Sequence, residues 1–109
     1  MSRAREFNTP IDRAVRRSGI TRTQFAEEAM LSTSTLLKGR ALDPNRGRIH
    51  WTSLVMIGAR MGIFHPGETI TEDDPRLRKL APKHLRSSHG RGAPRWDEFL
   101  GRRHLRLVS

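Results

Sequence analysis

The side chains with chemistry to offer in this chain are guanidinium groups and hydroxyls. Eighteen arginines and three lysines stand against eleven acidic residues, a net charge of +10 over 109 residues. Arginine makes forked contacts to phosphate and to the guanine edge. A small, strongly basic domain also draws polyanions by long-range attraction and counterion release, which makes nucleic acid the leading partner. Both halves carry the excess, with eleven basic against five acidic residues up to Ile63 and ten against six beyond it. Catalytic chemistry finds few carriers. His50, His65, His84, His89 and His104 include no i, i+3 or i, i+4 pair to make a metal face, and no cysteine accompanies them, so neither a metal nor a cofactor is expected. Asp73 and Asp74 are adjacent carboxylates in a loop and read as helix-capping charges, not as a general acid and base. There is no Gly-rich phosphate loop and no G-x-S-x-G turn. With no nucleophile, base and oxyanion donors to assemble, the sequence does not read as an enzyme.

The length allows one ordinary domain with a tail. Hydrophobic residues make up 35% of the chain, six of them aromatic, so the core is modest and a second copy would add to its stability. Without cysteine no disulfide can supplement it. No run approaches the roughly 18 apolar residues of a membrane span, and MSRAREFNTP has no apolar stretch of the signal-peptide kind. The expectation is a cytoplasmic protein with no membrane contact.

The elements that must carry these groups are helical between residues 9 and 63. Thr9 is placed to cap a first helix with Pro10 at its first position; Ile11, Ala14 and Val15 share a face, and Gly19 ends it. Thr21 and Gln24 have the spacing of a capping box, flanked by Ile20 and Phe25 as a hydrophobic staple. Phe25, Ala26 and Ala29 form the inner face of this second helix. Ser32 caps a short third helix with Leu36 and Gly39 inward. After a polar loop over Asp43 to Arg48, a fourth helix from Trp51 to Met61 sets Trp51, Leu54, Val55, Gly58 and Met61 on one stripe. Trp51 falls on that stripe and reads as packing.

The stretch ITRTQFAEEAMLSTSTLLKGRAL, followed by WTSLVMIGARMGI, resembles the lambda-repressor-like or Cro-type (XRE) helix-turn-helix family over residues 10 to 63. Ile20, Thr21, Phe25 and Ala26 match the start of its first motif helix. Ala29, Leu31 and Leu36 match the turn and second helix, and Leu54, Ile57, Gly58, Met61, Gly62 and Ile63 match the later helix. Ala26 must be small where the two motif helices cross. Three positions depart from the family pattern. Met30 stands where the turn usually has Gly, Arg40 stands where Glu is common, and the loop to the fourth helix is about three residues longer.

The resemblance implies an all-α, four- to five-helix domain with a basic C-terminal extension, which binds double-stranded DNA with the helix at 33–40 in the major groove. Thr33, Ser34 and Thr35 would then lie nearest the base edges, with Lys38 in reach of guanine and Leu37 touching a thymine methyl or a protein partner. Arg22 matches a phosphate-contacting position, and Arg46 and Arg48 would extend the phosphate contacts.

Beyond Phe64 an acidic loop, HPGETITEDDP, leads to a fifth helix that Asp74 and Pro75 start and Pro82 stops, with Leu77 and Leu80 inward. The linker composition of 87–94 divides the chain into a domain at 1–86, which the resemblance implies to be the helix-turn-helix DNA-binding domain, and a C-terminal extension at 95–109. In the extension Trp96, Phe99 and Leu100 have helical spacing while Leu105 and Leu107 alternate, so its secondary structure stays open. Those aromatic and apolar residues are the expected anchors of a homodimer. Docking on the chain's own domain, on a protein partner, or along DNA through Arg102, Arg103, His104 and Arg106 remain alternatives. The leading function is a sequence-specific transcriptional regulator, a repressor or autoregulator. The alternatives are a protein-interaction module on the same scaffold and a non-specific nucleic-acid binder.

Overall fold

Helix caps divide the chain, and the computed structural model describes it over residues 8–108. The first seven residues of the expected 1–86 domain and the last residue of the 95–109 extension lie outside the described residues. Six α-helices follow one another: α1 (Pro10–Ser18), α2 (Arg22–Glu28), α3 (Thr33–Ala41), α4 (Trp51–Arg60), α5 (Pro75–Leu80) and α6 (Trp96–Arg103). Thr9, Thr21, Ser32 and Asp74 each accept a hydrogen bond from a backbone N–H of the helix they start, satisfying donors that have no partner within the helix. No described helix is long and apolar enough to cross a membrane.

The chain is mostly helical, not all-α. Four short strands form two parallel pairs, β1 (Ile49–His50) with β3 (Arg86–Ser87) and β2 (Thr69–Thr71) with β4 (Arg106–Val108). Parallel partners need a crossover of a dozen residues or more, and here α4 and α5 lie in one crossover and α5 and α6 in the other. The β-branched triplet Thr69-Ile70-Thr71, read from sequence as loop, forms β2 with Ile70 fully buried. The ambiguous tail resolves into both structures, α6 and then β4.

The centre of the core is α4, where every residue from Trp51 to Ala59 is buried. The single stripe expected for this helix is therefore too narrow. With α3, α5, α6 and β1 packed around it, no face is left for solvent. Phe99, Leu100 and Leu105 are buried in the same cluster as Leu54 and Ile57. The tail thus docks on its own domain, and Phe99 and Leu100 cannot serve as dimer anchors. Among described residues Val108 is the one exposed large hydrophobic side chain. Arg103 holds α6 to the end of α4 by donating to the Ala59 carbonyl at 3.1 Å, and its guanidinium lies over the Phe99 ring.

The link between α1 and α3 is polar. Asp12, fully buried, accepts from Arg16 Nε at 2.7 Å and from Arg40 Nε at 2.9 Å. Thr9 Oγ1 accepts from the Asp12 N–H and donates to the Arg40 carbonyl at 2.7 Å. The helices come this close because Gly39 has no side chain; a Cβ there would sit 2.9 Å from Ile11 Cδ1. Arg40, the departure from the family pattern, is a structural cation. Replacing Asp12 by Ala removes the carboxylate that pairs with Arg40 inside the protein and should cost about 3 to 5 kcal/mol, whereas Asp12→Leu with Arg40→Met together should cost far less. Urea unfolding of the three proteins measures the difference; equal losses in the single and double variants would contradict a charge-based clamp.

Candidate nucleic-acid interface

The turn between α2 and α3 sets what α3 can present. The Met30 N–H bonds to the Glu27 carbonyl and the Leu31 N–H to the Ala26 carbonyl, closing α2 in a Schellman turn with Met30 at φ +57°. This position asks for left-handed backbone, and the unbranched Met side chain takes it while packing against the core. Phe25, Ala26, Ala29 and Leu36 are all buried between the two helices, as their spacing implies.

On α3 only Leu36, Gly39 and Arg40 are buried. The rest of the helix forms a ridge between two grooves. One groove is lined by Arg22, Thr23, Thr33, Ser34 and Leu37, with Leu36 and Arg40 at its floor. Thr33 and Ser34 are exposed and Leu37 is half-buried, so Leu37 is less of a loose apolar side chain than the sequence suggests. The other groove carries Thr35, Lys38 and Arg48 on one side and His89 and Arg91 on the other, and among the described residues no acidic one lines it. The structure thus brings Arg22 together with Thr33, Ser34 and Leu37, and sets Thr35 and Lys38 beside Arg48. Arg46 stands apart, exposed in a 3-10 turn (Pro44–Arg46) and lining neither groove. Thr35 is half-buried and tied to the cap, since Ser32 Oγ accepts from its N–H and donates to its hydroxyl at 2.9 Å. Its hydroxyl is less free than those of Thr33 and Ser34.

Several cations elsewhere in the chain are held in ion pairs. Arg60 pairs with Glu28, Arg76 with Glu68 and Asp74, and Arg95 and Arg102 with Glu98. Among the described residues Arg22, Lys38, Arg46 and Arg48 form no ion pair. Arg48 also borders a separate depression, which Glu72, Asp73, Trp51, Lys83 and Arg86 line with it.

Sequence reasoning missed Arg91 and His89. Residues 87–94 have linker composition, yet they run as a strap against the core: Ser87 pairs with His50 across β1 and β3, and Ala93 is buried. Gly92 is the signal that was available. A Cβ there would lie within van der Waals overlap of Thr52 Oγ1, so glycine is what lets the strap press on α4.

The chain matches no protein-family model, no curated protein and no solved structure.

Thr52 in turn belongs to the cap of α4. His50 Nδ1 accepts from the Thr52 N–H at 3.3 Å and lies 2.9 Å from its hydroxyl, which requires an unprotonated Nδ1. Burial of the ring pushes the His50 pKa below its ordinary value, against the opposing pull of Glu72. The neutral form is therefore favoured on folding. Its contribution to stability is complete above the unfolded pKa near 6.5 and declines as pH falls through the lower folded value. Acidification from about pH 7.5 to about pH 5 should lower the melting temperature of the wild type more than that of His50→Asn, whose amide oxygen caps without titrating. Equal shifts in parallel thermal melts would remove His50 from the account.

Proposed function

We propose that the protein is a cytoplasmic, sequence-specific DNA-binding regulator of the lambda-repressor-like helix-turn-helix kind, with α3 as its recognition helix. The observation that supports this most is the ridge of α3. Two solvent-facing hydroxyls and Leu37 stand beside Arg22 in one groove, Lys38 and Arg48 flank the other, and among the described residues none of these cations forms an ion pair. A helix of this kind in a major groove would read bases with Thr33, Ser34, Leu37 and Lys38 and hold phosphates with Arg22 and Arg48. Thr35 would then serve mainly to fix the cap, and Arg46 would reach phosphate only at the edge of the footprint.

Three or four short reading side chains discriminate weakly against a genome of competing sites, which argues for two copies on adjacent half-sites about one helical turn apart. Because Phe99, Leu100 and Leu105 of the tail are spent in the chain's own core, the two copies would meet through contacts formed on the DNA. The same burial weighs against the alternative of a protein partner captured by the tail.

Selection of duplexes from a random pool, followed by anisotropy titration at physiological salt, tests the reading. An enriched motif should bind at least about a thousandfold more tightly than a scrambled duplex, with two copies per site by sedimentation. Thr33→Ala and Ser34→Ala should each relax discrimination by about 1 to 3 kcal/mol, while Arg22→Ala should weaken binding to all sequences alike. No enriched motif, or equal affinity for the scrambled duplex, would sink the regulator reading.

A further inference from the structure

We infer that the strap at residues 88–94 is a second DNA-contacting wall, in which Arg91 binds a backbone phosphate opposite Lys38 and Arg48. The inference rests on the reading of α3 as the helix that enters the groove, and it extends the interface to a part of the chain that lies outside the helix-turn-helix segment. Four observations carry it. Arg91 and His89 line the same groove as Thr35, Lys38 and Arg48, so cations from three separate segments converge there. Among the described residues no acidic side chain lines that groove. Arg91 is exposed and, among the described residues, takes part in no ion pair, in contrast to Arg95 and Arg102, which share Glu98.

The fourth observation is that the strap is held in place. The parallel pair β1–β3 fixes its start, Ala93 is buried at its end, and between them Gly92 packs so closely on Thr52 that a methyl group would not fit. Arg91 therefore projects from backbone that has already lost most of its freedom, and ordering it on a phosphate costs little more than the side chain's own entropy. A guanidinium there presents a forked donor suited to phosphate oxygens. A duplex lying against α3 would meet this row of positive charge along one strand's backbone, where contact is independent of base sequence.

The test is a salt titration of binding with two probes, the duplex selected by α3 and a scrambled duplex of equal composition. Arg91→Ala should weaken both by the same factor, about tenfold, the size of one charge-assisted hydrogen bond, and should reduce the slope of log K against log salt by about 1. The ratio between the two probes should stay unchanged. Arg91→Lys should retain the slope, and Arg78→Ala, an exposed α5 cation lining neither groove, should change nothing. An Arg91→Ala protein with wild-type affinity and slope, alongside a weakened Arg22→Ala protein, overturns the strap's role and leaves the α3 reading intact. A wild type that shows no preference between the probes but loses one unit of slope in Arg91→Ala supports the wall and overturns the α3 reading. A wild type that binds neither probe overturns both.

Discussion

A buried carboxylate governs where α3 sits. Asp12 is fully inside the protein; its carboxylate accepts from the guanidinium groups of Arg16 and Arg40, and its backbone N–H donates to Thr9 Oγ1. An ionised group in that position is tolerable only when its partners are held in good geometry. The requirement fixes α1 against α3 more tightly than apolar contact could, because α3 buries only Leu36, Gly39 and Arg40. A helix with so little apolar area is free to rotate or slide unless specific bonds define its register. Here the Thr9–Arg40 carbonyl bond and the Asp12–Arg40 pair do so, and the outward direction of Thr33, Ser34 and Leu37 follows from them.

Around that clamp, arginine performs two kinds of work. Arg60 covers the Phe25 ring, Arg76 covers Phe64 and bridges Glu68 with Asp74, and Arg103 covers Phe99 while holding α4 to α6. These groups extend a small core with their flat, weakly hydrated faces. The unpaired cations beside α3 have no such role, and with the hydroxyls between them they make the surface best suited to a phosphate backbone. Composition alone cannot separate the two populations; placement does.

What could be read from sequence was local. Caps at Thr9, Thr21, Ser32 and Asp74 were legible because each is a short-range relation between a side chain and an N–H two or three residues on. The inner face of α2, Ile11 and Val15 on α1, and Leu36 with Gly39 on α3 followed from helical spacing, whereas on α1 Ala14 is only half-buried and Asp12 is buried beside Ile11. The inner stripe of α4 did not suffice, since a helix enclosed on all sides buries its off-stripe Thr52 and Ser53 as well. The Asp12–Arg40 pair spans 28 residues and leaves no local mark. Both strand pairs are two- or three-residue parallel contacts joining distant segments, and no periodicity announces them. The strap was hidden by its composition, because Ser, Gly and Pro are equally suited to a loose tether and to backbone packed where a side chain would collide. Of the candidate site, Arg22, Thr33, Ser34, Leu37, Lys38 and Arg48 border the two grooves, Thr35 is occupied by the cap, Arg46 lies off the grooves, and Arg91 came from structure alone.

Amide chemical-shift mapping with a bound duplex tests most directly whether the α3 ridge and its flanking cations are the working surface. Titration of labelled protein with the selected duplex is predicted to perturb amides at Arg22, Thr33 to Lys38, Arg48 and His89 to Gly92, and to leave the outer faces of α5 and α6, marked by Arg78 and Arg102, unmoved. Perturbations centred on Arg78 or Arg102, with the amides of α3 unchanged at saturation, would contradict the account.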